Sequence, residues 1–389
     1  LAPLIGRANA KLSNYNGILH NMVNPKILLS PLTKQEAVLS SKIEGTRASL
    51  SDIYQKDLGE KYDQEKENDI EEINNYRNAL AFATEDLTKR PICLNMLRDI
   101  HFRLLAGVRG HNKKRGEFRT TDVFIGAAGD TIENAKYVPP QYVDMLPALD
   151  NFEKYMHKED EEILVQLAIL HAQFEIIHPF NDGNGRMGRI LIPLYLYSKN
   201  YLRSPVFYLS EYLENNRGEY YNRLNKISAE GDWQSWVEFF LKAVIIQSET
   251  NTQRAKKILE LYDFVKEKIP SITHSYHSTA ICDALFESPF ITTTKLLNEV
   301  KINNKATCNN ILSKLVDADI LIGCFCKFIN RNFYNMVSFF LWQIKKSLFR
   351  HTVLPFSNNF QNLPLFSFII TKFICRSNYF LRKKLSAIT

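Results

Sequence analysis

Apolar residues recur at helical spacing over much of this chain. In residues 161–177 an apolar residue falls at every third or fourth position, namely Ile163, Leu167, Leu170, Phe174 and Ile177. Further apolar residues surround this stripe, so the segment predicts a helix that is buried on most of its surface. Residues 94–105 predict another helix, and Pro193 predicts a kink in the helix that follows residue 189.

Start and stop signals predict a helix near the N-terminus. Thr33-Lys-Gln-Glu36 has the form of a capping box and Gly45 is a natural stop, so residues 34–44 should be helical. Ser40 and Glu44 then share one face of this helix. A carboxylate in the last turn meets the negative end of the helix dipole, which costs up to about 1 kcal/mol without a nearby cation. We therefore expect Glu44 to have a cationic partner.

The remaining pattern is typical of a mainly α-helical protein with one small hairpin. Residues 47–90 form an acidic, Asn-rich helical stretch that is most simply a solvated surface, and we assign it no chemistry. Residues 123–137 hold Gly126, Gly129 and β-branched residues, which predicts a β-hairpin. Residues 250–269 predict a helical linker.

The C-terminal third predicts three short helices and a strand. The helices are expected at residues 278–286, 292–300 and 304–316, and the β-prone run at residues 320–329. This order resembles a winged helix-turn-helix, a module that binds DNA, proteins or copies of itself. The third helix offers too few cations to establish phosphate contacts. DNA binding is therefore kept only as an alternative.

Composition indicates a globular protein in a reducing compartment. The 389 residues are 45% apolar and 23% charged, which suits two or three domains. The six cysteines show no paired metal-binding spacing, which favours a cytoplasmic location. We expect no secretory signal and no transmembrane helix, because the longest apolar stretch, residues 363–375, is too short and contains Lys372.

The positive net charge belongs to the C-terminal tail. The chain carries +7, but residues 336–389 hold eight Lys/Arg and no Asp/Glu, which leaves −1 for residues 1–335. The pI of about 8.9 is therefore poor evidence that the folded body binds nucleic acid. The tail is rich in Phe and has no clear periodicity. A membrane-adherent segment, a partner-bound segment and an altered reading frame all remain open.

Residues 178–189 read His-Pro-Phe-Asn-Asp-Gly-Asn-Gly-Arg-Met-Gly-Arg and concentrate the candidate chemistry. Pro179 disfavours a helical residue before it, so the preceding helix should end at His178, whose imidazole can take a proton near neutral pH. Gly183 and Gly185 permit a turn whose amide N–H groups form an anion nest at a new helix start.

Charged side chains complete this candidate phosphate site. Arg186 and Arg189 lie three positions apart on one helix face, where two guanidinium groups can hold a polyphosphate. Asp182 offers a hard oxygen ligand for Mg²⁺. With His178, these residues supply the base, metal ligand and cations that nucleotide transfer needs.

The run is similar to the signature of the Fic (filamentation-induced-by-cAMP) family, His-Pro-Phe-x-Asp/Glu-Gly-Asn-Gly-Arg-x-x-Arg, and every fixed position is matched. The resemblance implies a Fic-type helical core that transfers AMP from ATP to a protein hydroxyl, a reaction called AMPylation. It implies that His178 is the catalytic base and Asp182 the Mg²⁺ ligand. The nucleotide-binding residues that it implies are Gly183, Asn184, Gly185, Arg186, Met187, Gly188 and Arg189.

Shorter stretches resemble other parts of the same family. Residues 40–45 resemble its inhibitory motif, Ser/Thr-x-x-x-Glu-Gly/Asn, which implies that Ser40 and Glu44 lie on an inhibitory helix and that Glu44 pairs with Arg189. The resemblance places Tyr221 near the base or ribose, although a Tyr in an interhelical core is the competing interpretation. It also implies that the hairpin at residues 123–137 is a flap that holds the target segment by strand addition.

Four regions and several alternatives follow. We expect an N-terminal helical region (1–90), a catalytic core (91–250), a linker with a winged helix-turn-helix (251–335) and a basic tail (336–389). The expected partners are ATP, a target protein that presents a Ser, Thr or Tyr hydroxyl, the protein itself as a target, and a second copy of the chain. The alternatives are removal of AMP, use of another nucleotide, and a winged-helix DNA-binding regulator that senses nucleotide without turnover. His171 is expected to be a core histidine.

Overall fold

The structure, a computed structural model, describes most of the chain outside the C-terminal tail. The described residues are 1–25, 29–57, 59–107, 114–126, 129–159, 162–288, 290–325 and 335–339. The predicted tail therefore lies outside the described residues from position 340 onward.

Four helices form the N-terminal region: α1 (Ala2–Asn21), α2 (Ser30–Ile43), α3 (Leu50–Asp57) and α4 (Gln64–Asp86). α2 begins earlier than predicted, because Pro31 occupies its first turn, where a missing N–H costs nothing. The predicted capping box is wrong, since the buried Glu36 carboxylate instead accepts hydrogen bonds from Ser210 Oγ (2.5 Å) and Tyr76 Oη (3.1 Å). The predicted stop is confirmed, because Gly45 follows the helix with a φ of +100°.

α4 has a buried face, although its sequence suggested a solvated surface. Ile70, Ile73 and Tyr76 are buried at helical spacing, and the acidic residues Asp69 and Glu72 lie buried on the same side. The prediction was wrong because the apolar spacing outweighs the overall acidity of the segment. These buried carboxylates point to cationic partners elsewhere in the fold.

Six helices form the central region, and the loop between two of them carries the candidate chemistry. They are α5 (Leu94–Leu104), α6 (Tyr142–Met156), α7 (Ile163–Ile177), α8 (Asn184–Ser198), α9 (Ser210–Asn215) and α10 (Arg217–Glu230). α7 is buried over most of its length, as its sequence predicted, and it packs against α8. The loop between α7 and α8 contains the start of the His178–Arg189 run.

The described part of the predicted flap is an antiparallel bridge between Ile125 and Tyr137. Ile125 N–H donates to Tyr137 O (2.8 Å), and Tyr137 N–H donates back to Ile125 O (3.1 Å). A short 3₁₀ turn at Ile132–Asn134 lies between the two arms.

A 41-residue helix, α11 (Trp233–Thr273), connects the core to the C-terminal elements and packs along α1. It runs unbroken across residue 250 and past Pro270. The elements after it are α12 (Ser278–Glu287), β1 (Phe290–Ile291), α13 (Thr293–Val300), α14 (Lys305–Asp317), β2 (Leu321–Phe325) and β3 (Asn335–Phe339). The strands form an antiparallel sheet in the order β1-β3-β2.

The three predicted C-terminal helices are confirmed, while the winged helix-turn-helix assignment and the division at residues 90, 250 and 335 stay predictions. None of the helices in the described part of the chain is both long and apolar enough to cross a membrane.

Tyr15 ties α1 to the core, and Tyr15→Phe tests this contact. Its fully buried hydroxyl donates to Val206 O (2.7 Å). We expect the substitution to lower the free energy of unfolding by about 1–2 kcal/mol, because the buried carbonyl loses its donor. Thermal unfolding measures the effect, with Tyr276→Phe as the control, since Tyr276 is 99% exposed. Equal stability of both variants would show that this bond does not contribute.

Candidate active site

His178 ends α7 in a left-handed conformation, with φ +50° and ψ +60°. Pro179 excludes a further helical turn, and the His178 N–H still donates to Phe174 O (3.1 Å). The predicted helix end is therefore confirmed. The backbone thus turns sharply at His178, the residue that the sequence analysis predicts to be the catalytic base.

Arg119 anchors this helix end from below and was not predicted to do so. Its side chain is 0% exposed. Nε donates to His178 O (3.0 Å), while Nη2 donates to Ile177 O (3.4 Å) and Pro140 O (2.5 Å). A cation that pairs with the last carbonyls of a helix offsets both their missing N–H partners and the helix dipole. Arg119 therefore holds the backbone that carries the imidazole.

Asn184 holds the loop through its side chain. Its Nδ2 donates to Phe180 O (2.8 Å) and its Oδ1 accepts from Phe180 N–H (2.9 Å). The buried amide is thus committed to the loop, and its predicted phosphate contact can come only from the backbone N–H. The predicted phosphate contact of Asn184 stays a prediction.

His101 braces the same loop and was also missed by sequence reasoning. Its ring stacks on Phe180 with centroids 3.8 Å apart. Nδ1 accepts from Gly116 N–H (2.9 Å), so Nε2 carries the proton and donates to Asp182 O (2.9 Å). Burial lowers the pKa of His101 to about 4, and the ring stays neutral in this bracing role.

Asp182 lies at the mouth of the loop with its carboxylate a third exposed. Oδ1 accepts from Gly183 N–H (2.6 Å) and lies 3.7 Å from Arg186 Nη2. No group of three or more His, Cys, Asp or Glu capable of holding a metal occurs among the described residues. A single carboxylate fits Mg²⁺ that takes its other ligands from water and phosphate oxygens. Asp182 is thus compatible with the predicted metal role.

Gly183 caps the N-terminus of α8, and its φ of +78° is the left-handed conformation that glycine adopts without strain. Met187 N–H donates to Gly183 O (3.0 Å), so the N–H groups before it lie in the first helical turn, which has no intrahelical acceptors. This is the geometry of an anion site at a helix N-terminus. Met187 itself is fully buried, and both its N–H and its side chain are committed to the fold.

Two glycines of α8 allow carboxylates to approach its backbone. A Cβ at Gly185 would overlap Glu44 Oε1, and a Cβ at Gly188 would overlap Glu175 Oε1. Gly188 therefore serves the packing of α7 against α8. Packing alone therefore explains why residue 188 is a glycine, and its predicted nucleotide contact stays a prediction.

Within the described part of the chain, the hydrogen bonds of Arg189 go to α2 and its C-terminal cap. Nη2 donates to Glu44 Oε1 (2.6 Å) and to Ser40 O (2.9 Å), while Nε donates to Ser40 Oγ (2.8 Å). Arg189 is 2% exposed, whereas 34% of the Glu44 side chain is accessible. Burial alone would raise the pKa of Glu44, but the Arg189 guanidinium outweighs it and the pKa lies below its ordinary value. The cationic partner expected for Glu44 is therefore present.

Arg186 is paired with an acid from α4 that sequence reasoning missed. Its Nη1 donates to Glu72 Oε2 (3.4 Å), and the same oxygen accepts from Thr46 Oγ1 (3.1 Å). Both side chains of the ion pair are almost fully buried. The sequence signal was the helical spacing of apolar residues around Glu72. Both arginines of the motif thus contact carboxylates of the N-terminal region.

The His178 imidazole has the protonation state that a base requires. Nδ1 lies 3.4 Å from Glu175 O, and because a carbonyl can only accept, Nδ1 carries the proton and Nε2 keeps its lone pair. Burial lowers the pKa of His178 to about 4, although the Glu175 carbonyl, Glu44 and Asp182 oppose this effect. The ring is therefore neutral at pH 7 and can accept a proton at Nε2.

Tyr220 and Tyr221 are adjacent in sequence but differ in burial: Tyr220 is buried and Tyr221 is partly exposed. His171 is buried, donates from Nδ1 to Gly188 O (3.2 Å) and accepts at Nε2 from Tyr220 Oη (3.0 Å), so it is confirmed as a core histidine. Tyr221 is 39% exposed, with its ring centroid 5.9 Å from the Arg217 guanidinium carbon. Burial and the charge of Glu44 raise the pKa of Tyr221 to about 12. Its nucleotide contact stays a prediction.

Comparison with known proteins finds two family regions in this chain. Residues 2–85 match the model of the Fic/DOC family N-terminal region, and residues 91–196 match that of the Fic/DOC family. The chain therefore contains a Fic/DOC N-terminal region and a Fic/DOC domain. These matches cover α1 to α4 together with the His178–Arg189 run.

Curated relatives carry the name protein adenylyltransferase Fic. The chain is 29% identical to that of Drosophila grimshawi over 185 residues, which are 47% of this chain and 32% of the relative. It is 31% identical to that of Culex quinquefasciatus over 151 residues, which are 38% of this chain and 27% of the relative. The chain thus spans about a third of the length of these relatives.

Solved structures share the fold. A Fic family protein from Desulfovibrio desulfuricans G20 aligns with a TM-score of 0.55 at 18% identity, covering 88% of this chain and 97% of that chain. A Fic domain containing signaling protein from Bacteroides thetaiotaomicron aligns with a TM-score of 0.50 at 17% identity, covering 64% of this chain and 97% of that chain. At these identities the likeness establishes a mainly α, Fic-type fold.

The neutral state of His178 can be measured directly. We expect its imidazole to titrate near pH 4, because burial disfavours the charged ring. The unfolded ring binds its proton at about pH 6.5, so His178 makes the folded protein lose stability as the pH falls from about 6.5 towards 4. Histidine NMR gives the midpoint, and His178→Gln identifies the signal. A midpoint near 6.5 would contradict the buried placement.

Proposed function

We propose that the protein is an adenylyltransferase that transfers AMP from ATP to a Ser, Thr or Tyr hydroxyl of a protein, restrained by Glu44. The observation that carries the proposal is the arrangement around the α7–α8 loop. A neutral imidazole with a free Nε2 stands beside a helix N-terminus that is followed by two arginines. The relatives named protein adenylyltransferase support the same reaction class.

In the proposed reaction the target oxygen forms a bond to the α-phosphorus, and the bond from that phosphorus to the bridging oxygen of the β-phosphate breaks. His178 Nε2 takes the hydroxyl proton, and pyrophosphate leaves. The first-turn N–H groups of α8 donate to phosphate oxygens, and Arg186 and Arg189 hold the outer phosphates. Mg²⁺ at Asp182 would offset the negative charge of the triphosphate.

The contacts of Arg189 support restraint by Glu44. The guanidinium already donates to Glu44 and twice to Ser40, and Glu44 Oε1 also lies against Gly185 at the start of α8. A γ-phosphate that binds Arg189 therefore has to displace the carboxylate. Until it does so, ATP lacks the contact that sets its outer phosphates in the reactive pose.

The bridge between Ile125 and Tyr137 supports a site for the target segment. Phe124, Ile125 and Val138 are exposed beside the bridge. An extended segment that pairs with this backbone would place a hydroxyl near the loop through main-chain hydrogen bonds. Main-chain pairing depends little on the side chains of the bound segment, so the protein itself is included among the targets.

Removal of AMP is the second candidate, because the Glu44 carboxylate is partly accessible and adjoins the start of α8. In that reaction Glu44 would orient a water molecule for attack on the phosphorus. Incubation of an AMP-modified protein with the wild-type chain separates the two activities. Loss of AMP that depends on Glu44 would assign removal, and its absence would leave transfer.

Glu44→Gly is expected to raise ATP-dependent modification roughly tenfold or more, since a charge-assisted hydrogen bond contributes about 1.5–3 kcal/mol. Intact mass and peptide mapping after incubation with each nucleoside triphosphate and Mg²⁺ detect the adduct and its donor. Glu230→Gly is the matched control, because Glu230 is an exposed carboxylate at the end of α10.

The added substitution His178→Ala should abolish the modification by Glu44→Gly protein. No AMP adduct in the Glu44→Gly variant, or an adduct that survives His178→Ala, would refute the proposed function.

A further inference from the structure

Arg189 depends on one helix for all its hydrogen bonds within the described residues. Glu44 Oε1, Ser40 Oγ and Ser40 O all belong to α2 or its C-terminal cap. Movement of α2 away from α8 would remove the three acceptors together. Until a phosphate of ATP reaches Arg189, a guanidinium that has lost these acceptors is poorly compensated, and a second acid nearby would stabilise its charge.

Glu175 on α7 is placed to do this. Its Oε1 is buried and has no hydrogen-bond partner among the residues that the structure describes. The same oxygen lies against α8 at Gly188, the residue before Arg189, where a Cβ would overlap it. Arg189 and Glu44 are the two charged groups that act most strongly on Glu175, so the three side chains are electrostatically coupled.

The neighbours of Glu175 leave this oxygen available. Tyr220 lies beside the carboxyl group, but His171 Nδ1 donates to Gly188 O, so His171 Nε2 accepts the single hydroxyl proton of Tyr220. Burial raises the pKa of Glu175 to about 7; Arg189 opposes that rise, and the charge of Glu44 adds to it. The charged form of Glu175 is thus less favoured than that of an ordinary glutamate while Glu44 neutralises Arg189.

We propose that Glu175 is the replacement counter-ion of Arg189, which binds the guanidinium when Glu44 withdraws and keeps it directed at the outer phosphates of ATP. Glu175 ionises as Glu44 leaves, because the negative charge that opposed its ionisation is gone, and its proton passes to solvent. Glu175 acts through Arg189 and is a positioning residue. Its role in ATP binding rests on the proposed function, whereas its pairing with Arg189 does not.

A thermal double-mutant cycle tests the pairing without any activity. Glu44→Gly and Glu175→Gln each leave one carboxylate beside Arg189, while the double variant leaves none. We expect the double variant to lose at least about 3 °C in Tm beyond the sum of the single losses. With Arg189→Met in every variant, the excess should disappear, because no buried charge remains. Additive losses, or an excess that persists with Arg189→Met, would overturn the proposal.

Failure of the double variant to fold is also informative. Recovery of folding on adding Arg189→Met would support the proposal, since the substitution removes the uncompensated charge. A triple variant that still does not fold would assign Glu175 a packing role instead and overturn the proposal. Glu230→Gln, an exposed substitution of the same type, is the control for the loss of a carboxylate as such.

Kinetics of the Glu44→Gly protein test the positioning of Arg189. Adding Glu175→Gln should raise KM for ATP roughly tenfold, the equivalent of about 1.4 kcal/mol, and leave the Kd of AMP unchanged, because AMP lacks the outer phosphates. An equal loss of ATP and AMP binding would indicate a general distortion and contradict the positioning role. Absence of AMP transfer by Glu44→Gly protein itself would refute the proposed function, and the thermal cycle would still decide the pairing.

Discussion

The buried charge of Arg189 is the constraint on which the candidate site depends. A guanidinium keeps its proton in a protein, and only 2% of this one is exposed, so a carboxylate has to lie beside it. Glu44 supplies that carboxylate from the N-terminal region. Under the proposed function, Glu44 compensates the charge of Arg189 in the folded protein and at the same time occupies the guanidinium that ATP has to reach. Restraint is then a consequence of how the two regions pack.

Arg186 extends this logic to a second contact. It pairs with Glu72 of α4, so both arginines of the motif are matched by acids from the segment with the Fic/DOC N-terminal likeness. The two pairs differ in exposure, since Glu72 is almost fully buried whereas Glu44 is partly accessible. A buried pair resists separation, while an accessible carboxylate can exchange a guanidinium for water. Under the proposed function, this difference makes Glu44 rather than Glu72 the carboxylate that ATP displaces.

Sequence reasoning found the site residues whose roles are local. Pro179 after His178 ends a helix wherever it occurs, and Gly183 tolerates a positive φ without help from the fold. Arg119 and His101 were missed because their acceptors are carbonyls 59 and 81 positions away, which no spacing rule relates to them. The acidic stretch that contains Glu72 was misassigned because its charge outweighed a buried apolar spacing. The resemblance supplied the Glu44–Arg189 pair, which no local rule could.

The amino-acid sequence by itself determined the helical class of the fold, the break between α7 and α8, and the residue types that meet there. Local steric preferences and hydrophobic periodicity are properties of neighbouring residues, so a single chain displays them. Only the tertiary structure decided which acid faces which arginine, that the Asn184 amide serves the loop, and that a Glu175 oxygen has no partner within the described ranges. Those outcomes depend on burial and on contacts between distant helices, which come into existence when the helices pack.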